Sequence, residues 1–125
     1  MAAETRNFIN SIVKNFKEAI GLINVLVLEP EEPATLRLLH GKLDVIKAGI
    51  EQDVRLLTRT SLDSNAMLCL YPIHNALNAL NYCLGILRYM PLNNQFYHDF
   101  EEVKHAVNAL DAISGRVFTN PGSDE

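Results

Sequence analysis

Four histidines (His40, His74, His98 and His105) and two cysteines (Cys69 and Cys83) are the side chains best suited to chemistry. His98, Glu102 and His105 stand at i, i+4 and i+7, a spacing that gathers side chains on one side of a helix. Imidazole and carboxylate at that spacing are the ligand types of zinc and iron sites. Cys69 and Cys83 are 14 positions apart, about 21 Å along a single helix. A disulfide needs Cα atoms within about 7 Å, so the expectation is two buried free thiols in a reducing compartment. Neither cysteine has a basic neighbour in sequence that would activate it as a nucleophile.

Glu102-Val103-Lys104-His105 resembles the E-x-x-H element of ferritin-like di-iron bundles. Those proteins need a second such element and further carboxylates, and the chain has no other E-x-x-H. Phe96, Phe100, Val103 and Val107 define the inward side of this segment, which turns His98 and His105 outward. A solvated face with a Glu-His pair is expected, without a metal.

A bundle with one solvent-facing histidine needs nothing more for phosphotransfer. His40-Gly41-Lys42-Leu43 and His74-Asn75-Ala76-Leu77 are each similar to the phosphoacceptor stretch of histidine phosphotransfer domains. In that family an apolar residue, then Lys and a small residue, follow the His. Here Gly41 precedes Lys42, and no Lys follows His74. Histidine-kinase dimerisation helices carry an acidic residue just after the His, where this chain has Asn75. The resemblance implies a two-component relay with His40 as phosphoacceptor, and this is the alternative function. No glycine-rich phosphate loop, C-x-x-C or Ser/His/Asp set is present, so the chain reads as non-enzymatic and cofactor-free.

The segments that must position these residues are helical. The chain has 125 residues, 48% of them hydrophobic, enough for one domain with one core. Turn signals at Glu29-Pro30-Glu31-Glu32-Pro33, Ser61-Leu62-Asp63-Ser64-Asn65 and Pro91-Leu92-Asn93-Asn94 cut it into four pieces. Apolar residues recur at steps of three and four, or their sum, in each: Ile9, Ile12, Phe16, Ala19 and Ile23; Leu36, Leu39, Leu43, Ile46, Ile50, Val54 and Leu57; Ile73, Ala76, Leu80, Cys83 and Leu87; Phe96, Phe100, Val103, Val107, Leu110 and Val117. Short links favour antiparallel neighbours. The spacing predicts an all-α, up-down-up-down four-helix bundle with helices over 4–28, 34–60, 64–90 and 94–118. Pro72 predicts a kink in the third helix, or a short helix to residue 70 and a separate one from Pro72. Residues 119–125 are expected to fray.

Charge narrows the partners. Eleven basic and 15 acidic residues leave a net charge of −4, which disfavours a general nucleic-acid binder. Residues 34–60 carry five basic and three acidic side chains, whereas residues 94–118 carry two and four. Opposite signs on two helices help them, or two copies of the chain, choose an orientation. Arg37, Lys42, Lys47, Arg55 and Arg59 interleave with Asp44, Glu51 and Asp53, so local ion pairing is expected along the second helix. Ser64 to Leu87 is a run of 24 residues without Asp, Glu, Lys or Arg. His74, Asn75, Asn78, Asn81 and Pro72 make it a poor membrane span. Lys14, Lys17 and Glu18 interrupt the apolar run after Phe8, so no clean signal core is seen. A cytoplasmic chain is expected.

That charge-free run holds the most informative pattern. Tyr71, Asn75, Asn78, Tyr82, Gly85 and Tyr89 step by four, three, four, three and four, diametrically opposite the core stripe centred on Leu80 and Leu87. Three of the protein's four tyrosines lie on this line. An ordinary solvent face is filled by Glu, Lys, Gln or Arg. Tyrosine without charge is typical of buried interface centres, Asn pairs across symmetric contacts, and Gly85 permits close backbone approach. These six residues are therefore the expected contact surface, for a second copy in a homodimer or for a helical protein partner. Leu38, Val45 and Leu56 lie well off the core stripe of the second helix and are candidates to extend it.

Overall fold

The computed structural model describes residues 2–28, 33–60, 64–89 and 91–119. Four helices follow in order: α1 (Ala2–Leu28), α2 (Pro33–Thr60), α3 (Ser64–Tyr89) and α4 (Asn94–Thr119). This is the expected all-α bundle, with boundaries close to those read from the spacing. Pro33 opens α2, where its missing N–H would have lacked a partner anyway. Asn93 caps α4. Its Oδ1 accepts the Phe96 N–H at 2.8 Å, and the Tyr97 N–H donates to its carbonyl at 3.3 Å. The expected breaks at 29–32 and 61–63, and the tail from 120, lie outside the described residues.

Helix α3 runs unbroken through Pro72, so the division into two shorter helices does not occur. An internal proline costs a helix about 3 kcal/mol through a lost hydrogen bond and a ring clash. Burial of Pro72 together with Cys69, Ile73 and Ala76 offsets that cost.

The inward stripes meet in one core. Ile9, Ile12, Phe16 and Ile23 of α1 are fully buried, with Ile50 and Leu57 of α2, Ile73, Leu80 and Cys83 of α3, and Phe96, Val103 and Leu110 of α4. Leu36, Leu39, Ile46, Leu77 and Leu87 are only partly buried, and the Val117 side chain lies outside the described residues. Phe96 organises one end of the core. Its ring stacks on Phe100 at 5.8 Å and meets Tyr97 edge-on at 5.2 Å.

Helices α3 and α4 pack most closely, followed by α1 on α2 and α1 on α4; α2 and α3 make no comparably close approach. The α2–α3 seam is polar on the α2 side. His40 and Asp44 stand there one helical turn apart, both near Arg88 of α3. Arg88 of α3 donates to Asp44 of α2 across it at 2.8 Å. Ser11 to Asp53 ties α1 to α2 at 2.8 Å, and Lys17 to Asp111 ties α1 to α4 at 2.8 Å. Partly exposed ties of this kind contribute at most about 1 kcal/mol each. Apolar burial carries the fold.

Candidate interaction surface

Continuous helix through Pro72 keeps α3 in one phase from end to end, so all six strip residues fall on its outer side. Tyr71, Tyr82 and Tyr89 are 75%, 67% and 78% exposed, Asn75 and Asn78 are exposed, and Gly85 is half-buried. A Cβ added at Gly85 would meet nothing within 4 Å. Exposed Met67 and Leu68 widen the apolar area at the N-terminal end. His74, Asn81 and Arg88 lie exposed along the other flank.

Beside the strip, α3 and α4 leave a groove of about 460 Å³. Tyr71, Asn75, Asn78 and Tyr82 form one wall, and His98, Asp99 and Glu102 form the other. Asp99 is only 7% exposed. Gln95 Nε2 donates to its Oδ1 at 3.0 Å, and among the described residues no Lys or Arg pairs with it. A buried carboxylate supported by one neutral amide is short of the charge partner such groups normally have. Asp99 was not among the residues singled out from sequence. The signal was there, since it stands three positions after Phe96 and four before Val103, on the inward side of α4.

The Cys83 thiol borders this acid. Burial pushes its pKa up to about 12, with the Asp99 charge adding to the effect. Its Sγ donates weakly to the Phe96 carbonyl at 3.9 Å. Neither Cys69 nor Cys83 is in a disulfide and both are buried, and the Cys83 thiol, held this far above neutrality, is no nucleophile.

The histidines are scattered rather than assembled. His40 is half-buried in the α2–α3 seam. Burial lowers its pKa, the Arg88 charge lowers it further, and Asp44 opposes both. Its Nδ1 is buried without a hydrogen-bond partner. His74 is exposed on the flank of α3, and His98 lines the groove. His105 lies 3.8 Å from Glu101, not against Glu102. Lys104, 2.7 Å away, holds the Glu101 carboxyl below its usual range, and His105 contributes less. Among the described residues no three His, Cys, Asp or Glu side chains are grouped to hold a metal.

Helix α2 departs from the expected local ion pairing. Its Asp44 is engaged by Arg88 of α3 and its Asp53 by Ser11 of α1. Arg37, Lys42, Arg55 and Arg59 are all exposed, and none makes an ion pair among the described residues. Leu38 and Val45 stand 59% and 72% exposed among them, while Leu56 is half-buried.

No protein-family model matches the chain, and no curated protein or solved structure matches it either. Among the described residues no helix is long and apolar enough to cross a membrane.

Proposed function

We propose that this chain is a non-enzymatic interaction protein whose contact surface is the outer face of α3, and that it associates with other copies of itself. The observation that carries this reading is the exposure of Tyr71, Tyr82 and Tyr89 along one side of α3, which has no charged side chain from Ser64 to Leu87. Tyrosine supplies large contact area at low entropic cost, and interface centres are enriched in it and depleted of charge. Asn and Tyr each donate and accept hydrogen bonds, so an uncharged face of this kind can satisfy the polar groups of the surface that covers it without burying a charge. Two buried cysteines outside any disulfide suit a reducing cytoplasm.

The phosphotransfer alternative has less support. The likeness to phosphoacceptor stretches covers only a few residues, and His40, its candidate, is half-buried between α2 and α3 with the Arg88 charge beside it. Incubation with a labelled phosphodonor should give no acid-labile histidine phosphate.

Site-specific photocrosslinking tests the contact face. A photoreactive side chain in place of Tyr82 should join two chains in high yield, and the same group in place of the exposed Glu18 of α1 should not. Equal yields from the two positions would remove the α3 face as the contact surface.

A further inference from the structure

Two outer surfaces of this molecule are unfinished in opposite ways. The α3–α4 surface is aromatic and uncharged along the strip, with acid along one edge from Asp99 and Glu102. Glu102 is exposed, and neither acid has an ion pair among the described residues. The outer surface of α2 is aliphatic along Leu38 and Val45 and basic on both sides of them. Lys42 falls on one side of that line, and Arg37, Arg55 and Arg59 fall on the other. Of the acids that sequence interleaves with these cations, Asp44 is held by Arg88 and Asp53 by Ser11, and Glu51 is half-buried without an ion pair to them among the described residues.

We infer that the outer face of α2 in one copy docks on the α3–α4 face of the next, a head-to-tail contact rather than a two-fold one. This rests on the reading that the α3 face self-associates, and it names the surface that face meets. Charge selects it. In an antiparallel two-fold contact of α3 on α3, the Asp99 and Glu102 edges of both copies would face each other with no Lys or Arg on the strip to separate them; in a parallel one each acid edge would face the partner's opposite flank, whose Arg88 is already held by Asp44. Like charges brought together in that way oppose association. A docked α2 instead brings uncommitted guanidinium groups to the groove, and Arg is well suited to interface carboxylates. Spacing agrees as well. Leu38 and Val45 are seven residues apart, as are Asn75 and Tyr82, and Tyr82 and Tyr89. Seven residues rise about 10.5 Å, so the two repeats can stay in register along a helix–helix contact. The open groove favours a side chain delivered on a large surface over a free small cation, which would find too little to bury it.

A surface that meets a different surface leaves both ends of a pair open, so association continues into a ring or a chain. Complementation decides the arrangement. Asn78→Glu/Tyr82→Glu removes the α3 half, and Leu38→Glu/Val45→Glu removes the α2 half. In sedimentation equilibrium the unaltered chain should gain mass with concentration. Each double variant alone should stay at the 14.0 kDa chain mass. An equal mixture of the two should form a complex of twice that mass, because each supplies the half the other lacks. Added salt should weaken that complex severalfold. If Leu38→Glu/Val45→Glu alone associates like the unaltered chain, head-to-tail docking is wrong and the α3 contact still stands. A mixture that stays monomeric also overturns the docking. An unaltered chain that is monomeric at millimolar concentration removes both readings. Circular dichroism checks folding, and Tyr82→Ser with Val45→Ser repeats the test more gently.

Discussion

The outer sides of α2 and α3 both expose apolar side chains, and they do so in different company. On α2, Leu38 and Val45 stand among Arg37, Lys42, Arg55 and Arg59. On α3, Tyr71, Tyr82 and Tyr89 stand among asparagines and a glycine, with no charge until Arg88. Exposure alone separates nothing here, because single exposed apolar residues are normal on protein surfaces. What separates the two is the state of the charges. Helix α3 has dispensed with them, and α2 has kept its cations while committing Asp44 and Asp53 elsewhere. Neither face is explained by the needs of its own bundle.

The contrast within α3 should give the largest effect. Leu80→Ala on the inner side should cost about 2–5 kcal/mol of stability in urea unfolding. Tyr82→Ala on the outer side should change the isolated chain by no more than about 0.5 kcal/mol. A large loss from Tyr82→Ala in dilute, monomeric protein would place that ring in the fold rather than in a contact. Gly85→Ala sharpens the same comparison. It should stabilise the isolated chain by about 0.5–1 kcal/mol through helix propensity, since the added methyl meets open space. If two backbones approach there, the same change weakens association.

Smaller effects belong to the α2–α3 seam. Arg88→Ala should lower stability by at most about 1 kcal/mol, as expected for a partly exposed pair with Asp44. His40 should add a modest pH dependence. Its folded-state pKa lies below its ordinary value of 6.5, so the fold resists the proton that the unfolded chain accepts. Stability is therefore full above that value and declines as pH falls through 6.5 toward the lower folded value. Replacing His40 with Leu should flatten that slope in melts compared on either side of pH 6.5. Cys83, with its thiol near 12, should react with a thiol reagent only as fast as the chain opens.

Periodicity made most of the fold legible. The steps Ile9–Ile12–Phe16 and Phe96–Phe100–Val103 mark buried sides because a helix repeats every 3.6 residues. The strip from Tyr71 to Tyr89 was legible for the same reason, since opposite phase on one helix fixes opposite sides. At Pro72 the sequence left a kink and a division open, and the unbroken α3 removes the division, because a local rule weighs the lost hydrogen bond and not the burial around it. Pairings between helices were hidden. Asp44 looks like a neighbour for the arginines of its own helix until the fold brings Arg88 to it. Asp99 hid for another reason. Its position in the inward stripe of α4 was readable, but the groove it lines exists only where α3 and α4 meet.

The most direct test compares the mass of the unaltered chain with that of Asn78→Glu/Tyr82→Glu by sedimentation equilibrium, from dilute to millimolar protein. An outer α3 face built for contact predicts that the unaltered chain climbs above 14.0 kDa while the variant, equally helical, stays there. Two curves that coincide, whether both flat or both rising, would contradict it.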